Sequence, residues 1–187
     1  SVICSDKTGT LTQNKMKVVE INSKNKEFAA ELSCMCTDCD ISVQENKKLV
    51  KGEPTEVALV EYALTINKDK NELCYQMQRI NEIPFDSNRK MMTTIHRIGN
   101  RYRIITKGAP DVLLERCNKE IGENNIFSKL KIQNENLKMA QKALRVIAVA
   151  YKDIDILPNR IDTTTIENDL TFVGLIGMID PPREGVK

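Results

Sequence analysis

The sequence predicts an α+β fold in which an antiparallel sheet is flanked by helical hairpins. Two runs rich in β-branched residues, 91–98 and 101–106, are separated by Gly99-Asn100, which is the pattern of a β-hairpin. Amphipathic helical segments occur in pairs before and after this hairpin. Hairpin strands interleaved with helical pairs are typical of an α+β domain.

Composition and charge are those of an ordinary soluble globular protein. The 187 residues are 41% hydrophobic and 29% charged, which suffices for a sizeable core. A formal net charge of +2 indicates no nucleic-acid surface, so we expect no nucleic-acid partner. The longest apolar stretch, 171–179, is shorter than the roughly 20 residues of a membrane helix, and the first residues lack a signal-peptide pattern. We therefore expect a cytoplasmic piece without a membrane segment.

The elements before the hairpin follow from periodicity and from helix start signals. They are a strand at 17–21, a helix at 28–32, a surface loop at 38–51, a helix that begins at 52–56, a helix at 69–78 and a strand at 79–84. Pro54 suits the first turn of the second helix, and Glu56 favours the positive end of its dipole. Val57, Val60 and Leu64 form its apolar stripe.

The elements after the hairpin are predicted in the same way. They are a helix that begins with Pro110, a helix at 128–142, a strand at 145–151 and a strand at 170–178. In the long helix we expect Leu130, Leu137 and Ala140 to face inward. His96 lies in the first hairpin strand, where an exposed or hydrogen-bonded side chain is expected rather than a catalytic one.

The order of elements predicts that one domain is inserted into another. The predicted boundaries are 1–19 for the first segment of the outer domain, 20–170 for the inserted domain and 171–187 for the return to the outer domain. Residues 2–12 and 172–182 would then be neighbouring strands of the outer domain. Because two strands cannot form a stable sheet with a core, they would have to pack against the inserted domain or be partly disordered.

The most specific motif is Cys4-Ser5-Asp6-Lys7-Thr8-Gly9-Thr10-Leu11-Thr12, which follows an apolar strand end. Asp6 supplies a carboxylate nucleophile, and Lys7 supplies a fixed positive charge. Thr8 and Thr10 supply short hydroxyl donors for phosphate oxygens. Together these residues predict that an aspartyl-phosphate forms on Asp6.

A second group of residues has the chemistry of a nucleotide pocket. It comprises Pro84-Phe85-Asp86-Ser87-Asn88-Arg89-Lys90-Met91-Met92 and Lys107-Gly108-Ala109-Pro110. The ring of Phe85 could stack on a flat base, the thioether of Met92 could fill apolar space, and lysines could face phosphates. We expect the two stretches to converge across one hairpin.

Both groups resemble the motifs of the P-type ATPases, ion pumps that phosphorylate themselves on the aspartate of the first motif. Cys4-Ser5-Asp6 together with Gln13-Asn14-Lys15-Met16 is similar to the type II cation pumps, most of all to bacterial calcium-transporting members. The resemblance covers essentially the whole chain. It implies a nucleotide-binding domain joined to an incomplete α/β phosphorylation domain, with ATP and Mg²⁺ as cofactors.

The resemblance also implies roles for individual residues. Asp6 would receive the γ-phosphate, and Asp6 and the main-chain carbonyl of Thr8 would bind Mg²⁺. The residues implied at the nucleotide are Glu56, Phe85, Arg89, Lys90, Met92, Lys107, Gly108, Arg145, Asp180 and Arg183. Glu56 would contact the adenine edge and Arg145 the phosphates. Asp180 and Arg183, three residues apart, belong to a hinge motif.

Further implications concern the rest of the pump. ATP or ADP would be the ligand, and the membrane, actuator and remaining phosphorylation domains of the same pump would be partners. The chain would be a cytoplasmic domain of an integral membrane protein, in the plasma membrane. The family's later acidic motif, Thr-Gly-Asp followed by Gly-Asp-Gly-x-Asn-Asp, does not occur in this sequence. We therefore expect this chain to bind nucleotide without turnover.

Two alternatives stay open at this point. The aspartyl loop would also suit a soluble phosphatase or phosphotransferase of the haloacid-dehalogenase type. Separately, Cys34, Cys36 and Cys39 could hold a soft metal if a fourth ligand joined them, or they could be small apolar residues at the end of a helix.

Overall fold

The computed structural model describes residues 15–45, 47–122 and 127–181. Its strands are β1 (Lys17–Ser23), β2 (Asp40–Gln44), β3 (Lys47–Lys51), β4 (Arg79–Asp86), β5 (Met91–Ile98), β6 (Arg101–Gly108), β7 (Cys117–Glu120), β8 (Arg145–Ile154) and β9 (Leu170–Ile179). Its helices are α1 (Lys26–Met35), α2 (Pro54–Thr65), α3 (Lys70–Gln76), α4 (Pro110–Leu113), α5 (Lys129–Gln141) and α6 (Thr163–Ile166). None of these helices combines the length and the apolar character needed to cross a membrane.

One sheet organises the described part of the chain. Its strand order is β1-β9-β8-β6-β5-β4, and each of these neighbouring pairs is antiparallel. The short strand β7 pairs in parallel with the start of β9, and β2 and β3 form a separate hairpin. The predicted α+β class with an antiparallel sheet is confirmed.

Helices cover both faces of the sheet because its central strands are apolar on both sides. On one face, Val149 of β8 packs in the same core as residues of α1, α2 and α3. On the other face, Ala148 and Ala150 of the same strand pack with residues of α4 and α5. Successive side chains of a strand point to opposite faces, so this alternation produces two cores from one strand.

Side-chain caps set where the helices on the first face begin. Asn25 accepts a hydrogen bond from the backbone N–H of Phe28 at the start of α1. Glu53 accepts from the N–H groups of Thr55 and Glu56 at the start of α2, which also has Pro54 in its first turn. Such caps satisfy backbone donors that have no partner within the helix. The predicted start of α2 is confirmed.

The segment 38–51 was predicted to be a surface loop, and this prediction is wrong. It contains the β2–β3 hairpin, in which Ile41 pairs with Val50. Both side chains pack against a small core formed by α1 and α2. The lysines that made the segment look like a solvated loop are on exposed positions of β3. Only the tertiary contact distinguishes this hairpin from a loop.

The inward face of α5 was also predicted incorrectly. Leu130 and Leu137 are 69% and 57% exposed, and Ala140 is exposed as well. The buried residues are instead Ile132 and Met139, which pack against the second face of the sheet. Both pairs have a spacing of seven residues, so helical periodicity alone could not choose between them.

The last described strand does not leave the sheet as expected. The pairing of β9 with β8 runs from Thr171 to Met178 on one side, and its pairing with β1 runs from Gly174 to Ile179 on the other, so β9 is an interior strand. Residues 2–12, its expected neighbours, lie outside the described residues. The division of the chain at 19/20 and 170/171 therefore stays a prediction.

His96 is fully buried in β5, and its hydrogen bonds match the neutral form of the ring. Nδ1 lies 3.1 Å from the carbonyl oxygen of Met77, which can only accept, and Nε2 lies 2.9 Å from the hydroxyl of Thr94. Burial lowers the pKa of His96 to about 4. The hydrogen-bonded interpretation of this residue is confirmed.

We predict that His96 makes folding sensitive to mild acid. The unfolded chain binds a proton near pH 6.5 and the folded chain only near pH 4, so stability is present above this window and is lost as pH falls through it. By pH 4.5 this loss should reach about 2–3 kcal/mol. Urea unfolding at pH 7 and pH 4.5 measures it. His96→Gln, which keeps a donor and an acceptor, should lose less stability, and an equal loss in both proteins would contradict the prediction.

Candidate functional site

A cavity of about 590 Å³ opens where α2, the β5–β6 hairpin and the start of β8 meet. The register of the hairpin explains its location, because Met92 pairs with Lys107 and Met91 pairs with Gly108. Lys107 in turn pairs with Val149 of β8. The predicted convergence of the two motif stretches across one hairpin is confirmed.

The cavity brings together most of the described residues that were predicted to bind a ligand. Those that line it are Glu56, Phe85, Lys90, Met92, Lys107, Gly108 and Arg145. They come from four separate parts of the chain, which only the sheet brings into contact. Asp6, Lys7, Thr8, Thr10 and Arg183 lie outside the described residues.

Two predicted residues do not line the cavity. Arg89 directs its guanidinium to the carboxylate of Glu167 and to the carbonyl of Pro84. Asp180 accepts a hydrogen bond of 3.3 Å from the backbone N–H of Lys15, which joins the end of β9 to the residues before β1. Their assignment as ligand-binding residues stays a prediction.

Further lining residues were not assigned individually from the sequence, although Ala109 belongs to the second motif stretch. They are Asp38, Glu53, Thr55, Leu59, Ala109, Val146 and Ile147. Most of them lie within three positions of a predicted residue, so the local motifs already carried a signal for them. Asp38 had no such signal. Its backbone N–H donates to Glu56 Oε2 at 2.8 Å, and this contact brings the segment that follows α1 to the cavity.

An ion pair between Lys107 and Glu56 forms part of the cavity wall. The ammonium group of Lys107 donates to Glu56 Oε1, and the two side chains are only 10% and 15% exposed. The pair joins the end of β6 to the first turn of α2. Since each carboxylate oxygen has two acceptor positions, Glu56 can still accept a hydrogen bond from a ligand.

Gly108 allows two stretches of backbone to lie close together beside the cavity. A Cβ atom at this position would lie 2.5 Å from the carbonyl oxygen of Lys90 and 2.5 Å from Cγ of Met91. The same carbonyl accepts a hydrogen bond of 3.0 Å from the N–H of Ala109. A residue without a side chain is therefore required for the loop that carries Lys90 to pack against β6.

The cavity combines an apolar interior with a cationic rim. Met92 and Leu59 are buried in its wall, whereas the ring of Phe85 is 62% exposed at its edge. Lys90 and Arg145 are exposed cations on the rim. An apolar slot beside an open aromatic face suits a flat ring, and the cations suit an anionic group attached to that ring.

The three clustered cysteines have contacts that favour the structural interpretation. Cys34 lies within α1 and packs with Cys39 against α2, and Cys36 donates to the carbonyls of Met92 and Ile105 at 3.6 Å. Burial raises the pKa of Cys34 to about 12 and that of Cys39 to about 11, which disfavours the thiolate that a metal needs. Across 15–45, 47–122 and 127–181, no three His, Cys, Asp or Glu side chains are grouped to hold a metal ion.

We predict that the Lys107–Glu56 pair matters to stability mainly through the cost of breaking it. Glu56→Ala should lower the free energy of unfolding by ~3 kcal/mol, because it leaves the ammonium group buried without its partner. The double variant Glu56→Ala with Lys107→Met should lose less free energy of unfolding, because it leaves no unpaired ammonium group. Glu61→Ala on the same helix is the control, since its pair with Lys15 at 3.3 Å is much more exposed. Urea unfolding measures all of them, and equal losses in the single and double variants would contradict the prediction.

Comparison with known proteins agrees with these features. The chain is 42% identical over 205 residues to Calcium-transporting ATPase 1 of Lactococcus lactis and 41% identical over 195 residues to a probable cation-transporting P-type ATPase of Mycoplasma genitalium. It is 40% identical over 213 residues to a calcium-transporting ATPase of Listeria monocytogenes. These alignments cover 100% of this chain but only 23%, 20% and 23% of the relatives. The chain thus spans less than a quarter of the length of these relatives.

A family model supports the same relationship over nearly the whole chain. The model described as "P-type ATPase, cytoplasmic domain N" matches residues 14–185. This range contains every described residue that lines the cavity. The resemblance predicted from the motifs is confirmed, and the chain belongs to the family of P-type ATPase cytoplasmic N domains.

Proposed function

We propose that this chain is the ATP-binding domain of a P-type cation-transporting ATPase. The observation that carries the proposal is the convergence of Glu56, Phe85, Lys107 and Arg145 from four parts of the chain on one cavity. Each of these side chains has a common structural explanation by itself. Their meeting around an apolar slot with a cationic rim supports a nucleotide as the ligand.

The adenine would occupy the apolar part of the cavity. Phe85 offers an open ring face, and Met92 supplies a buried thioether surface beside it. Glu56 would accept a hydrogen bond from the amino group of the base. Because the carboxylate is held by Lys107 and by the backbone of Asp38, its orientation is set before the ligand arrives.

The phosphates would lie toward the cationic rim. The side chain of Lys90 is 55% exposed, so its ammonium group can turn toward an anion without giving up buried contacts. Arg145, at the start of β8, offers a planar guanidinium that can bind phosphate oxygens bidentately. Gly108 leaves its part of the cavity wall free of a side chain.

We further propose that the full-length protein transfers the γ-phosphate of ATP to Asp6 and couples this step to cation transport. Asp6 and the carbonyl of Thr8 would bind Mg²⁺, which would neutralise charge on the transferred group. The names of two of the three relatives above favour calcium as the cation. The domain would lie on the cytoplasmic side of the plasma membrane, joined to membrane, actuator and phosphorylation domains of the same pump.

A prediction from this proposal tests the adenine slot. Phe85→Ala should raise the Kd for ATP about tenfold, since stacking on an aromatic ring contributes about 1–3 kcal/mol per base. Calorimetric titration with ATP, without and with Mg²⁺, measures the change. Tyr75→Ala is the matched control, because Tyr75 is a 92% exposed aromatic residue that does not line the cavity. An unchanged Kd in Phe85→Ala, or no binding to the unaltered chain, would contradict the assignment.

Another prediction from this proposal concerns turnover of ATP. This chain should release no phosphate from ATP in the presence of Mg²⁺, whereas the full-length pump should form an acid-stable phosphoenzyme that is lost in Asp6→Asn. Phosphate release assays and acid precipitation with labelled ATP measure the two quantities. Cleavage of small phosphate esters by the chain would instead support the haloacid-dehalogenase alternative.

A further inference from the structure

A buried ion pair lies beneath the loop that carries Phe85 and Lys90. Arg89, in the turn between β4 and β5, has a side chain that is only 13% exposed. Its Nη1 donates to Glu167 Oε1 at 2.5 Å, and its Nη2 donates to the carbonyl oxygen of Pro84 at 2.7 Å. Both ends of the guanidinium are thus engaged away from the cavity.

Glu167 is a fixed anchor for this contact. It lies between α6 and β9 and is fully buried. Its Oε1 also accepts a hydrogen bond of 2.5 Å from the hydroxyl of Thr93, whose oxygen lies 2.9 Å from that of Thr106. The carboxylate therefore joins the turn to two neighbouring strands of the sheet.

The backbone at Pro84 and Phe85 needs such an anchor. The register of the β4–β5 ladder shifts between Ile83 and Asp86, so Pro84 and Phe85, which lie between them, are outside its regular pairing. Phe85 is also 62% exposed, so packing does little to hold its ring. Arg89 supplies a hydrogen bond to the carbonyl just before Phe85, and its own backbone N–H donates to Asp86 Oδ1 at 2.8 Å.

We propose that Arg89 is a positioning residue that holds Phe85 in place for the ligand through Glu167 and Pro84, without touching the ligand itself. This inference rests on the proposed nucleotide site. It assigns to Arg89 a role different from the direct contact that its sequence position suggested. Loss of a residue that positions the base-stacking loop should raise the Kd for a nucleoside and for a nucleotide by the same factor. Loss of a phosphate contact should raise the Kd for the nucleotide only.

The test uses a fluorescent reporter in place of the stacking ring. The chain contains no tryptophan, so Phe85→Trp gives a single signal from this position. In this background, Arg89→Met is combined with Glu167→Gln so that no unpaired carboxylate stays buried. Glu167→Gln alone is the second variant, and we expect it to raise the quenching of the reporter and the Kd values less than the double variant does. Arg101→Met is the control, because Arg101 forms an exposed pair with Asp155 elsewhere.

Two measurements decide the outcome. Without nucleotide, acrylamide quenching of the reporter should rise about 1.5-fold in the double variant, because the loop loses its anchor. In titrations followed by NMR, the Kd values for adenosine and ATP should both rise by about five- to tenfold. Lys90→Met, in contrast, should raise the Kd for ATP more than the Kd for adenosine.

Other results would overturn the inference. Unchanged quenching in the folded double variant would mean that Arg89 does not hold the loop. A rise in Kd for ATP without a rise for adenosine would mean that Arg89 contacts phosphate directly. If the parent Phe85→Trp protein bound neither ligand while the unaltered chain did, the NMR titrations would be made with Phe85 in place, and unchanged Kd values in the Arg89→Met, Glu167→Gln protein would overturn the inference. If the unaltered chain bound neither, the proposed function would fail, and the nucleotide-free quenching would still decide the role of Arg89.

Discussion

The antiparallel register of β5, β6 and β8 is the constraint on which the cavity depends. It sets Met92 opposite Lys107 and Lys107 opposite Val149, all on the face that carries α1 and α2. The adjacent position, Met91, is buried on the other face. A slip of one residue would exchange the two faces and move Lys107 away from Glu56. Burial of both faces therefore protects the arrangement of the site.

The apolar faces and the buried ion pairs have different tasks in this fold. Burial of apolar side chains on both sides of the sheet supplies the stability. A buried ion pair contributes little net stability compared with apolar residues of similar volume. The two pairs beside the cavity, Lys107 with Glu56 and Arg89 with Glu167, instead join segments that are distant in sequence. They orient the residues around the cavity more than they stabilise the sheet.

The sequence predicted local structure well wherever one pattern dominated. The turn Gly99-Asn100 between two β-branched runs predicted the β5–β6 hairpin, and Pro54 with Glu56 predicted the start of α2. Prediction failed where two patterns were equally good. In α5, Leu130 with Leu137 and Ile132 with Met139 share the same spacing, and only the sheet determines which pair is buried.

The sequence by itself determined the family, the class of fold and half of the residues that line the cavity, because short motifs contain the residue types that bind a ligand. Tertiary structure alone decided which of these residues face the cavity. Arg89 and Lys90 are adjacent in the chain, yet one is turned toward the buried Glu167 and the other toward the cavity. Asp38 reaches the cavity through its backbone, which no side-chain motif can record. The physical reason is that a side chain's direction depends on which partners the packed sheet offers it, and those partners are distant in sequence.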